Sequence, residues 1–418
     1  MLIEFRVKNF RSFKDEQVLS MVAGTAAEHQ KTHCFPCPAL GGGKKRLLKS
    51  AVVYGANASG KSNLVKAFDA MHQIVTTSAR EKEAGGAIDV APFLLHSETA
   101  KAPTLFEVTF VSDGVRYQYG FSAGQRKIHE EWLVAYPKGR PQSLFERNED
   151  RWTFGPRMLG EKHRLRTMTR HDALYVSVGA SFNHPQLALV HRWFTKALWL
   201  GYGDAPPDRT ASRMVRDPSV HRKVMGWLRD ADLGIESVEV RQRRVLEADL
   251  PKKMPDDIRR PLLRQLMKGH ILEVYSRHRM ADTGAPVRFD FNDESDGTRC
   301  FFSLAGYCLD VLQNGHVLVV DELDASLHPH MTRKILEIFN SPLTNKRNGQ
   351  IIFSTHDTTL LDPDLLRRDQ VWFTEKDKTG ASHLYSLIDY RPRKDEALQK
   401  GYLAGRYGAV PVLGGFRF

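Results

Sequence analysis

From its first residues the chain alternates. Ile3, Phe5 and Val7 fall on one side and Glu4, Arg6 and Lys8 on the other, the period of two expected of a strand with one buried face. A glycine-rich, basic stretch follows at 39–49, ALGGGKKRLLK, and then a short apolar run, Ala51-Val52-Val53-Tyr54. Past a glycine-containing loop, Leu64, Ala67, Phe68, Met71, Ile74 and Val75 recur at helical spacing, so the pattern predicts strand, loop, helix. Between 104 and 154 the period returns to two: Phe106, Val108 and Phe110, then Val115, Tyr117, Tyr119 and Phe121, on either side of Ser112-Asp113-Gly114. An Asp-Gly between alternating runs predicts a tight hairpin, because its central residues need positive φ. An antiparallel β lobe is therefore expected.

Residues 205–285 are polar and Arg-rich, with short helical stretches such as VHRKVMGWLRD (220–230) and RRPLLRQLMKG (259–269) broken by prolines. No heptad run is long enough for an extended coiled coil. In the last third His316-Val-Leu-Val-Val320 and Gln350-Ile-Ile-Phe353 read as buried strands, with a helix over 329–339 between them. That succession predicts an α/β parallel sheet. The chain divides into 1–160, a mainly helical basic insertion at 161–290, and 291–418.

Of the 418 residues 41% are hydrophobic and 26% charged, an ordinary globular composition that excludes collagenous and low-complexity chains. No apolar run approaches the roughly 20 residues that span a bilayer, and MLIEFRVKNF lacks a signal-peptide core. A cytoplasmic protein with no membrane contact is expected. A net charge of +12 favours a polyanionic partner. Cys34, Cys37, Cys300 and Cys308 are too few for a disulfide framework and suit a reducing compartment. His33-Cys34 with Cys37 resembles half a zinc site, but no second Cys or His pair stands at ligand spacing, so the residues read as free thiols in a loop.

Gly55-Ala-Asn-Ala-Ser-Gly60-Lys61-Ser62 fits Gly-x-x-x-x-Gly-Lys-Ser/Thr between a strand and a helix, the context that gives the motif its meaning. Glycines let backbone amides turn inward around phosphate oxygens, and the helix N-terminus adds its dipole. Gly55, Asn57, Gly60, Lys61, Ser62 and Asn63 are the candidate phosphate-binding residues, with Lys61 reaching the β and γ phosphates and Ser62 ligating Mg²⁺. A second element, His316-Val-Leu-Val-Val-Asp321-Glu322, is an apolar strand ending in two acids. Asp321 at the strand end can hold Mg²⁺ through water, and Glu322 is placed to polarise an attacking water.

At this point the sequence resembles the ATP-binding cassette ATPases, in their SMC-like and OLD-like branch. Asp321 and Glu322 match that family's second nucleotide motif and catalytic glutamate. Leu323-Asp324-Ala325-Ser326-Leu327-His328 matches its dimer-contacting loop, and Phe353-Ser354-Thr355-His356 its switch histidine. Upstream, Glu294-Ser295-Asp296-Gly297-Thr298 stands where the family carries its signature Ser-Gly-Gly, Asp296 departing from the pattern. Physically, Ser295 can cap the helix through Phe301, Leu304, Cys308 and Val311. Asp296 would repel a polyphosphate unless it points away. Asn9-Phe10-Arg11-Ser12-Phe13 resembles the segment that packs near the nucleotide in SMC-like heads, with Arg11 a candidate phosphate or base contact. Gln118 and Gln125 lie in or beside the hairpin, and neither has the context of the family's Mg²⁺-sensing glutamine.

The resemblance implies a P-loop NTPase head of ATP-binding cassette type, with the P-loop and β lobe in 1–160 and the remaining nucleotide motifs in 291–418. It implies ATP and Mg²⁺ as cofactors, and two composite sites formed when heads sandwich ATP. Each head would supply Lys61, Asp321 and Glu322 on one side and Ser295 on the other, with Asp324, Gly297 and the switch histidine His356 as further candidate site residues.

The stretch from Ser62 to Ser295 is longer than a transporter cassette's insertion and far shorter than an SMC arm, and the residues after His356 are too few for the fused TOPRIM nuclease of OLD proteins. Glu375 and Asp377 in WFTEKDK read as solvated acids rather than a nuclease metal site. ASFNHPQ at 180–186, Trp372 to Leu387 and the tail Lys400-Gly-Tyr-Leu-Ala-Gly-Arg406-Tyr407-Gly408-Ala-Val-Pro411 resemble the stand-alone AAA-type ATPases of bacterial abortive-infection and restriction-linked loci, the RloA and AbiL type. That resemblance implies a homodimer or larger homo-oligomer controlling a separate effector, such as a TOPRIM-like nuclease. The alternative is an SMC- or RecF-like repair clamp that grips DNA directly through the basic insertion.

Overall fold

The structure is a computed structural model that describes residues 1–41, 45–79, 86–202, 207–245, 270–394 and 396–411. The chain divides into two compact units. One comprises 1–202, 311–324 and 332–418, and the other 203–310 with 325–331.

The first unit is built on two sheets. Six strands lie in the spatial order Leu198–Tyr202, Val317–Asp321, Gln350–Ser354, Ser50–Gly55, Val371–Lys376 and Ser382–Ser386. Each of the first five runs parallel to its neighbour, and the last closes the edge antiparallel. Val317, Leu318, Val319, Ile351, Ile352 and Ala51 are buried, the near-continuous apolar runs that a parallel sheet covered on both faces requires. Gly55, Asp321 and Ser354 all end their strands on the same edge, where ligands of open α/β sheets bind.

The second sheet has seven antiparallel strands and includes the opening strand Leu2–Lys8, whose alternation is seen as buried Phe5 and Val7 between half-buried Glu4 and Arg6. The Thr104–Ser112 and Val115–Ala123 hairpin turns through Asp113 (φ 49°) and Gly114 (φ 76°), the two positive values that a tight hairpin demands. Phe5 stacks on Phe68 of the P-loop helix Lys61–Thr77 with ring centroids 3.7 Å apart. Buried Gln350 accepts from the Leu2 amide (2.6 Å) and donates to the Leu2 and Leu48 carbonyls (3.0 Å each). The β lobe is thus fastened to the strand beside the P-loop.

The second unit holds helices Asp208–Arg216 and Pro218–Asp230, a three-stranded antiparallel sheet of Ser237–Arg244, His270–Arg279 and Pro286–Asp290, and most of the helix Asp296–Asn314. This differs from the expected division. Residues 161–202 belong with the P-loop sheet, the insertion starts at 203, and much of its described part is strand. Val238 and Val240 alternate with Glu239 and Arg241, a period of two that the density of arginine obscures. The stretch 259–269 lies outside the described residues. No helix among the described residues is long and apolar enough to cross a membrane.

Candidate functional site

The P-loop leaves its strand at Gly55, where an added Cβ would lie 2.4 Å from Ser59 Oγ and 2.5 Å from the Thr374 carbonyl oxygen. Ser59 and Thr374 share a buried hydroxyl bond of 2.7 Å, tying the loop to the neighbouring strand. Gly60 ends the loop at φ 122°, with Ser382 Oγ 2.7 Å from the position of a Cβ. Glycine is needed there both for its φ and for space. Lys61 opens the helix, is 5% exposed, and donates from Nζ to the carbonyls of Gly55 (2.8 Å) and Ala56 (3.1 Å). Burial lowers its pKa, against the opposing pull of Glu322, Asp321 and Asp324.

Those carboxylates stand at the end of Val317–Asp321. Ser354, ending the next strand, donates its hydroxyl to Asp321 Oδ1 (2.6 Å) and accepts from the Glu322 amide (2.7 Å). Glu322 is held at φ 51°, a left-handed conformation that costs a non-glycine residue on the order of 1–3 kcal/mol and concentrates at functional sites. The Leu323 amide bonds to the Ser354 carbonyl (3.0 Å), and the His356 amide to Asp324 Oδ2 (3.1 Å). The other Asp324 oxygen is buried with no hydrogen-bond partner among the described residues. The His356 pKa is lowered by burial and by Lys61, while Asp324, Glu322 and Asp321 pull it up. Lys61, Asp321, Glu322, Asp324 and His356 therefore form one electrostatic cluster at one edge of one sheet. Tyr54 braces it from beneath, donating to the Asp357 carbonyl (3.1 Å).

Ser62 and Asn57 lie on the rim, half-buried and exposed. Asn63 instead donates to Ser12 Oγ (2.7 Å), which also receives Ser382 Oγ (2.8 Å). The side chain of Asn63 thus fastens the Asn9–Phe13 turn to the P-loop helix. Buried Asn9 holds that turn through bonds to the carbonyls of Thr99 (2.8 Å) and Ala102 (2.9 Å), leaving Arg11 exposed, its guanidinium 5.5 Å from the Phe10 ring centroid. Hydroxyl pairs such as Ser12 with Ser382 and Ser59 with Thr374 carry no local sequence signal. Ser354 stood in plain view beside His356, but its bond to Asp321 depends on strand register.

Ser295 and Gly297 belong to the second unit. Ser295 Oγ accepts from the Thr298 amide (3.2 Å) and caps the helix. Asp296, its side chain 76% exposed, pairs with Arg299, so its charge is compensated along the helix surface. At Gly297 an added Cβ would lie 2.5 Å from the Ser326 carbonyl oxygen, so only glycine lets the backbone at Ser326 lie against the capped turn.

Asp377 binds His383 (3.0 Å) and Thr379 (2.7 Å) across its hairpin, and these bonds hold its carboxyl well below the usual range. Burial pushes the Cys34 thiol up to about 11 and raises that of Cys37, which disfavours the thiolates a zinc ion needs. Among the described residues no group of three His, Cys, Asp or Glu is spaced to hold a metal. Mg²⁺ asks for less, usually one or two protein oxygens with substrate phosphates and water completing the shell. The Ser62 hydroxyl and the Asp321 carboxylate suit that ion.

The family described as "AAA domain, putative AbiEii toxin, Type IV TA system" matches residues 50–177 and 176–362. Among solved structures, the recombination mediator protein RecF of the RecFOR pathway in its ATPrS form has 12% identity and TM-score 0.37 over 92% of this chain and 98% of that chain. RecF in its ATP form has 12% identity and TM-score 0.33 over 85% and 93%. CbiO1 from Clostridium perfringens, part of the ABC transporter complex CbiONQ, has 14% identity and TM-score 0.24 over 52% and 68%. No curated protein matches the chain.

Proposed function

The chain is a member of that AAA-domain family, and on this premise we propose that it is a Mg²⁺-dependent ATP hydrolase whose heads dimerise around ATP, serving as a nucleotide-controlled switch. What supports the reading above all is the Ser354 bridge, which orders the Asp321 carboxylate and the strained Glu322 backbone beside Lys61 and His356.

In this reading the Gly55–Ser62 loop wraps the phosphates with backbone amides, and Lys61 exchanges its carbonyl partners for phosphate oxygens. Ser62 and Asp321 would hold the metal, which when bound would supply Lewis-acid polarisation of the phosphoryl group. Glu322 accepts a hydrogen bond from the attacking water and orients it. His356, whose pKa burial and Lys61 lower, donates to the phosphoryl oxygens as charge develops on them. Ser295 and Gly297 of a second head close the site, so ATP binding joins the heads and hydrolysis releases them. The switch acts in the cytoplasm, in defence against phage, on a separate effector of nuclease type.

The DNA-clamp alternative rests on the charge of +12. On the insertion's sheet, however, Arg241 and Arg277 both meet Glu239, Arg243 meets Glu273, and Arg279 meets Glu236. These pairs offset only part of the sheet's positive charge, since Glu239 serves two arginines, so salt-dependent DNA binding decides between the two readings.

Steady-state phosphate release and ATP titration test the reading. Wild-type protein is expected to turn over Mg-ATP, and Lys61→Ala to lose nucleotide binding. ATP affinity retained in that variant would remove the phosphate-cradle argument. Steep loss of DNA affinity with salt, from a nanomolar start, would favour the clamp.

A further inference from the structure

Glu294, immediately before the capping serine, has a side chain only 12% exposed. Its Oε1 receives the Ser276 hydroxyl and lies 2.7 Å from His278 Nε2. Both partners lie on the middle strand of the insertion's sheet, two residues apart and therefore on one face. Ser276 is fully buried, and His278 is held edge-on against Phe289 of the next strand at 5.2 Å. Burying a carboxylate is costly unless it is bonded, and an apolar side chain would serve packing here at lower cost. The chain is extended at Glu294 (φ −71°, ψ 159°) and helical from Asp296. On the other side Phe291 packs on Phe302 of the same helix at 4.7 Å. The backbone that carries this anchored carboxylate therefore runs directly into Ser295 and the first turn of the helix.

We propose that Glu294 is a positioning residue, whose carboxylate, gripped by Ser276 and His278, locks the Ser295–Gly297 turn to the insertion's sheet so that one head presents Ser295 in register to nucleotide held by another. This rests on the composite-site reading above. The sheet and the capping serine then act as one body, and a partner engaging the sheet acts on hydrolysis in a neighbouring head.

The test uses two full-length chains joined in tandem by a flexible linker, so that the two heads stay paired through each round of hydrolysis. One chain carries Lys61→Ala, so that the remaining competent site uses the P-loop of the other chain and the Ser295 of the Lys61→Ala chain. Glu294→Ala is placed in either chain and kcat and KM for ATP are measured, with Ser295→Ala in the same two placements as reference. Glu294→Ala in the Lys61→Ala chain is expected to lower kcat on the order of tenfold, the consequence of losing a charge-assisted hydrogen bond, while in the P-loop-competent chain it does not. Glu294→Gln, which can still accept from Ser276 and His278, restores most of the rate. A merely structural role would lower activity equally in both placements. That equality, or no effect in either, alongside a placement-dependent Ser295→Ala, would overturn the inference. If Ser295→Ala itself costs the same in both placements, the composite-site reading falls, and this inference with it.

Discussion

Ser354→Ala is the sharpest perturbation of the site, because one buried hydroxyl serves both acidic residues. Ser354 is 1% exposed and makes a 2.6 Å bond to Asp321 and a 2.7 Å bond from the Glu322 amide. A hydrogen bond to a charged group contributes about 1.5–3 kcal/mol. Without its anchor Glu322 is free to leave φ 51°, recovering about 1–3 kcal/mol of backbone strain. The two contributions offset in stability, so the midpoint of urea unfolding should move little. They do not offset in catalysis, where both act to misplace the carboxylates. A loss of about 1.5–3 kcal/mol in the transition state corresponds to roughly a ten- to hundredfold fall in kcat, with ATP affinity nearly unchanged because Lys61 and the glycine loop are untouched. Phosphate release, ATP titration calorimetry and urea melts on the same preparation separate these quantities. Wild-type kcat in a folded Ser354→Ala protein would refute the reasoning.

Gly60→Ala places a Cβ at φ 122° against Ser382 and should abolish ATP binding; calorimetry returning wild-type affinity would contradict the cradle. Gly297→Ala drives a methyl into the Ser326 carbonyl. It should leave ATP binding by single heads intact while preventing ATP-dependent dimerisation, read by analytical ultracentrifugation. Because burial and Lys61 lower the His356 pKa from its ordinary value in the nucleotide-free site, kcat/KM, which reports the free enzyme, should show no acid limb from His356 above pH 7; such a limb, lost in His356→Gln, would contradict the lowered direction. Burial and neighbouring His29 lower His33 to about 4. The unfolded chain then binds the extra proton between about pH 6.5 and 4, and stability is highest above that window and falls through it with acidification. Thermal midpoints across this range should fall less steeply in His33→Gln.

What could be read from the sequence was local. The glycine loop, the Asp113-Gly114 hairpin and the apolar strand ending in Asp321-Glu322 each announce themselves within about ten residues, and all three occupy the expected elements. The order of strands was not legible. Val317–Asp321 and Gln350–Ser354 lie far from Ser50–Gly55 in sequence but beside it in the sheet, and only that register lets Ser354 meet Asp321. Asn63 adds a long-range contact of the same kind: its side chain bonds to Ser12, a partner that its position in the motif does not announce. In the insertion, alternation in Ser237–Arg244 was masked by arginines such as Arg241 and Arg243, which pair with Glu239 of the same strand and Glu273 of the next.

The central claim is that ATP joins two heads and that hydrolysis, oriented by Glu322, separates them. Native mass spectrometry of Glu322→Gln protein in Mg-ATP tests it most directly. The expected result is a dimer or larger ring retaining two ATP molecules per pair of heads, in contrast to wild-type protein, which returns to ADP-bound or free single heads. A Glu322→Gln protein that binds ATP yet remains a single head, or that hydrolyses it at the wild-type rate, would contradict the account.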